Sequence, residues 1–112
     1  MEEAPARRDV ILRYFDGCPH WRTAYERVNE VLAEIGDDAV AVALERVETP
    51  EDAERLRFAG SPTVLVNGED PFEGEVAGGY GLSCRVYQTP EGPAGFPTKE
   101  QLREVLHDQA TT

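Results

Sequence analysis

Apolar residues recur along this chain in two periods, and each period predicts an element. Residues 10–15 (Val-Ile-Leu-Arg-Tyr-Phe) form a β-branched and aromatic run closed by Asp16-Gly17, the pattern of a buried strand followed by a turn. From Pro19 onward, Trp21, Tyr25, Val28, Val31, Leu32 and Ile35 recur at helical spacing, with Arg22, Glu26, Arg27, Glu30 and Glu34 mostly on the opposite face. Gly36 is expected to end that helix. Val40, Val42 and Leu44 alternate with alanines and give a second strand through about Val47. Thr49-Pro50-Glu51-Asp52 then supplies an N-cap, a proline for the first helical position and early acids, opening a helix whose inner face is Ala53, Leu56 and Ala59.

Gly60-Ser61-Pro62 breaks this helix, and residues 63–66 (Thr-Val-Leu-Val) make a third strand ending at the turn pair Asn67-Gly68. Residues 69–83 are rich in glycine and acids and read as a long irregular connection. Residues 84–88 (Cys-Arg-Val-Tyr-Gln) make a fourth strand, expected to pair antiparallel with the third, and residues 89–97 a loop. Thr98-Lys99-Glu100-Gln101 is a capping box for a last helix with Leu102, Val105 and Leu106 inward, and the tail after His107 is expected to fray. The order is βαβαββα in the α/β class, with a mixed four-stranded sheet flanked by helices.

The chain has 112 residues, enough for a single domain over 1–112 with a core from about 9 to 107. Its net charge of −11 argues against nucleic acid or an anionic membrane as partner. Neither a leader-like apolar stretch at the N-terminus nor a membrane-length apolar run is present, so a cytoplasmic location is expected. In a reducing compartment the two cysteines are expected to be free thiols, and any disulfide between them transient or catalytic. Oligomeric state is not readable from these features.

Cys18 falls where the first strand gives way to the first helix. At a helix cap a thiol meets unpaired backbone N–H groups and the positive end of the macrodipole, both of which favour thiolate and lower its pKa. Pro19 fits the first helical turn, and His20 is either a thiolate-stabilising donor or a solvated helix residue. The bland alternative makes Cys18 a small buried residue at a chain turn. Trp21 either starts the helix's apolar stripe or covers one side of the thiol. Cys84 is the candidate partner. Antiparallel pairing of the third and fourth strands sets it beyond the Cα separation of about 7 Å that a disulfide tolerates, unless the glycine-rich connection re-routes the chain. Gly78-Gly79-Tyr80-Gly81 is followed by no phosphate-cradling helix or lysine, so no dinucleotide or nucleotide cofactor is expected. Cys18, His20 and Cys84 could hold Zn, Cu(I) or Hg(II) only if brought together, and no paired CxxC or clustered histidine spacing assigns a metal.

The order of elements, Cys18 at a strand-to-helix junction, and Ser61-Pro62-Thr63 opening the third strand together resemble the thioredoxin-like superfamily over residues 9–107. The resemblance implies a cis Pro62 against the reactive cysteine, with Ser61 and Thr63 beside Cys18 and the Ser61-Pro62 turn binding extended backbone. Cys18-Pro19-His20 also resembles the first three residues of the Cys-Pro-His-Cys motif of bacterial disulfide-forming oxidases, with Trp21 where the second cysteine stands in that family. Disulfide closure within the motif is thereby excluded. The strings GSPTVLVNG and GLSCRVY are similar to small thioredoxin-like proteins of actinobacteria that sometimes carry the label alkylmercury lyase, although no complete organomercurial-cleaving set of residues is matched.

These features imply a thiol-disulfide oxidoreductase with Cys18 as nucleophile, Cys84 or an external thiol as resolver, His20 supporting the thiolate, and Trp21, Ser61, Pro62 and Thr63 lining the substrate site. The substrate is a protein or a low-molecular-weight thiol or disulfide. The alternatives are a redox-inactive binding domain on the same fold and a mercury-handling thiol protein.

Overall fold

The computed structural model describes residues 9–35, 42–72 and 80–110, with side chains as far as Leu106. Gly36, Val40, the Gly78-Gly79 pair, the side chain of His107 and the chain after 110 are outside the described residues.

The protein is a mixed α/β structure. Strand β1 (Val10–Tyr14) lies between β2 (Val42–Arg46), with which it pairs parallel, and β3 (Thr63–Val66), with which it pairs antiparallel. Helix α1 (Trp21–Glu34) connects β1 to β2, and the short helix α2 (Pro50–Arg55) connects β2 to β3. A separate antiparallel ribbon follows, β4 (Tyr87–Thr89) with β5 (Gly92–Ala94), and then helix α3 (Lys99–Ala110).

The main core joins the inward face of β1 and β3 (Val10, Leu12, Val64, Val66) to α1 through Val28, Val31 and Leu32 and to α3 through Leu102 and Leu106. Each of these large side chains contributes on the order of 2 kcal/mol by leaving water. Local chemistry sets the helix starts. Thr49 Oγ accepts from the Asp52 N–H at 3.0 Å, while Thr98 and Gln101 cap one another through Gln101 N–H to Thr98 Oγ1 (3.1 Å) and Thr98 N–H to Gln101 Oε1 (2.9 Å). The Asn67-Gly68 turn has positive φ at both residues, 53° and 84°, as a tight primed hairpin turn requires.

Several expectations need correction. Helix α2 stops at Arg55; Arg57 adopts a left-handed φ of 56°, and Phe58 rather than Ala59 enters a second small core with Val47 and Ala53. Leu44 lies on the outer strand, where Val42 is the buried residue, and is 43% exposed. Helix α3 continues to Ala110 instead of fraying after His107.

The largest correction concerns the fourth strand: the described sheet has three strands, not four. Cys84 makes an isolated bridge to Ser61, and the bridge is parallel, whereas an antiparallel strand was expected over residues 84–88. Ser61 N–H donates to Ser83 O (2.8 Å), and Arg85 N–H donates to Ser61 O (2.9 Å). Regular pairing resumes only at Tyr87, with β5 as its partner across a turn closed by Gly92 at φ 109° and by Thr89 Oγ1 donating to Gly92 O. The local hairpin takes the hydrogen bonds that a longer fourth strand would have offered to β3. No described helix is long and apolar enough to cross a membrane.

Candidate functional site

The site is built where β1 ends and β3 begins. The Phe15 carbonyl accepts from Cys18 N–H (3.1 Å), closing a turn over Asp16 and Gly17, and Phe15 N–H reaches Ser61 Oγ at 3.4 Å. These bonds set Cys18 against the residue before the cis Ser61–Pro62 peptide bond. The Cys18 thiol donates to Ser61 O at 3.5 Å and accepts from His20 N–H at 3.4 Å. Helix α1 starts at Trp21 with His20 as its cap residue, so Cys18 and Pro19 precede the helix instead of capping and opening it. What the helix end gives the sulfur is one backbone N–H, that of His20.

Cys84 is brought to the same place. Its bridge to Ser61 carries it to the residue whose carbonyl accepts from the Cys18 thiol, near enough for Cys18 to raise its pKa. The antiparallel approach expected of residues 84–88 is replaced by a parallel one at Ser61. Cys18 is buried at 5% exposure, Cys84 is exposed, and neither is in a disulfide. Partial loss of water at the sulfur pushes the Cys84 thiol above its ordinary pKa, and the neighbouring Cys18 pushes it further in the same direction.

The other expected site residues divide. Ser61 is fully buried and bonded to Cys18, Phe15, Ser83 and Arg85. The Pro62 carbonyl accepts from Tyr87 OH at 2.6 Å, which holds the start of β4 against the turn. Thr63 belongs to a different cluster, since its hydroxyl donates to Gly60 O (2.6 Å) and accepts from Arg85 Nη1 (3.3 Å). Trp21 packs in the core, stacked on Tyr14 with centroids 4.1 Å apart and with the Arg22 guanidinium over its other face. The His20 ring lies edge-on to Phe96 and against Gly95, so its contribution at the sulfur is its backbone N–H.

Gly95 matters because a Cβ there would stand 2.3 Å from His20 Cδ2. Gly95→Ala is therefore expected to push the His20 ring out and cost about 1–3 kcal/mol of stability, as overpacking does. Thermal unfolding together with the His20 ring proton shifts would check it; unchanged shifts would mean that the loop yields instead.

Sequence reasoning missed the residue that holds the Cys84 segment in place. Arg85 is 2% exposed, and its guanidinium reaches Asp70 through two hydrogen bonds (2.7 and 3.3 Å), Phe72 O at 2.8 Å and Thr63 Oγ1. It also lies over the Tyr87 ring, and its Nε is buried without a hydrogen-bond partner. An arginine in a strand-like run reads as a surface residue, and nothing local links it to Asp70 fifteen positions earlier.

A groove of about 690 Å³ is lined by Arg13, Leu56, Arg57, Thr63, Asp70 and Tyr80 among others and includes neither cysteine. A smaller groove of about 290 Å³, lined by Phe15, Gly17, Arg46, Glu48 and Leu82 among others, likewise includes neither cysteine. Among the described residues, no group of three or more histidine, cysteine or acidic side chains is arranged to hold a metal ion. Comparison of the chain with protein-family models, with curated proteins and with solved structures finds no match.

Proposed function

We propose that this chain is a thioredoxin-like thiol-disulfide oxidoreductase whose working pair is Cys18 and Cys84, with Cys18 attacking and Cys84 resolving. The observation that carries the reading is that two free thiols distant in sequence converge on Ser61, whose carbonyl accepts from the Cys18 thiol and whose backbone bridges to Cys84.

In the reducing direction, the Cys18 thiolate, supported by the His20 N–H, attacks one sulfur of a substrate disulfide. The other substrate sulfur leaves as thiolate and takes up the proton that Cys18 lost. Cys84 then attacks Cys18 Sγ in the mixed disulfide, and its proton goes to the second departing thiolate. The products are the Cys18–Cys84 disulfide and two substrate thiols.

Oxidising the protein and digesting it under thiol-blocking conditions is expected to yield a Cys18–Cys84 linked peptide and a whole-chain mass lower by about 2 Da, the loss of two thiol hydrogens on disulfide formation. Cys84→Ser is expected to trap substrate on Cys18. Trapping by Cys18→Ser instead would exchange the two roles, and no linked peptide from any oxidant would end the redox reading. The 5% exposure of Cys18 favours a second reading, a binding domain without redox turnover, and that last outcome would select it.

A further inference from the structure

Resting on the redox reading above, we infer that the substrate is a small-molecule disulfide and not a disulfide in an extended polypeptide. A polypeptide docking beside Cys18 as an added strand needs the open N–H and C=O of the neighbouring backbone. Those groups belong to Ser61, and both are taken: its N–H by Ser83 O at 2.8 Å, its C=O by the Arg85 N–H at 2.9 Å. The chain's own residues 83–85 fill the strand slot and place Cys84 where an incoming cysteine would lie.

The segment is also anchored. Arg85 is tied to Asp70, Phe72 O and Thr63, and Tyr87 OH is bonded to Pro62 O. Displacing it to admit a peptide would break the two Ser61 bonds and strain a buried ion pair. Access to the sulfur agrees with this. Cys18 is 5% exposed, so a chain with side chains on both sides of its disulfide is hindered at the sulfur more than a small molecule is. The balance of the reaction is unchanged: one small disulfide is reduced to two thiols as the cysteine pair is oxidised.

The test compares two oxidants of the reduced full-length protein. One is 2-hydroxyethyl disulfide; the other is a nonapeptide whose central cysteine is capped with 2-mercaptoethanol. Each rate is divided by that of dithiothreitol with the same oxidant, which removes the intrinsic reactivity of the sulfur. The normalised rate is expected to be at least roughly tenfold higher for the small disulfide, the equivalent of two backbone hydrogen bonds that the peptide must displace. Slow exchange of the Ser61 and Arg85 amides, unaffected by a non-reactive serine version of the peptide, is expected alongside. If the peptide matches or outpaces the small disulfide while both oxidants produce the Cys18–Cys84 link, this inference fails and the redox reading stands. If neither oxidant produces the link, both fall together.

Discussion

Asp70→Ala is expected to lower the unfolding free energy by about 3–5 kcal/mol, the range for removing one partner of a buried ion pair. The Arg85 side chain is 1% exposed and that of Asp70 14%, so the variant leaves a cation in the interior with only neutral acceptors among the described residues, Phe72 O and Thr63 Oγ1. In a domain of this size such a loss lowers Tm by on the order of 10–20 °C. The penalty belongs to the stranded charge more than to the lost attraction. Replacing the pair together, as Asp70→Leu with Arg85→Met, should therefore recover most of the stability. Urea and thermal unfolding of the three proteins decide the matter, and a double variant no better than Asp70→Ala would refute this account of the pair.

The second large effect is a stability gap between redox states. Cys18 and Cys84 stand 66 positions apart (84 minus 18), so a link between them constrains a long stretch of the unfolded chain. The loop-entropy relation gives about 4 kcal/mol in favour of the folded oxidised form. Oxidised wild type should then melt on the order of 10 °C above the reduced form or more, whereas Cys84→Ser should melt at one temperature under either condition. A linked protein with no gap would mean that the bridge strains the native state by as much as it restrains the unfolded one.

What could be read in the sequence was what is local. Thr49 and the Thr98/Gln101 box cap the helices they were expected to cap, and Asn67-Gly68 turns the chain, because their partners lie within three residues. The strand pattern placed Cys18 after β1 and Ser61 before β3, and their meeting was implied only by the thioredoxin-like resemblance. The approach of Cys84 was not legible. It depends on the connection before it and on the buried Arg85, whose partners Asp70, Phe72 and Thr63 are 15, 13 and 22 positions away. Treated as a surface residue, Arg85 leaves residues 84–88 free to form a regular strand. Its contacts as a buried cation hold residue 85 in place, leaving regular pairing to begin at Tyr87. The place of His20 was equally hidden, because it is set by the absence of a side chain at Gly95.

The Ser61 carbonyl accepts both the Cys18 thiol proton and the Arg85 amide proton. A thiol can donate that bond only while it keeps its hydrogen, so oxidation or ionisation of Cys18 leaves the oxygen with the amide alone. One peptide group therefore registers the state of the sulfur in its own bond order: its carbonyl stretch stiffens when the thiol donor is withdrawn. A single carbon-13 label at residue 61 turns the backbone into a vibrational gauge of turnover, without any dye or reporter attached to the cysteines.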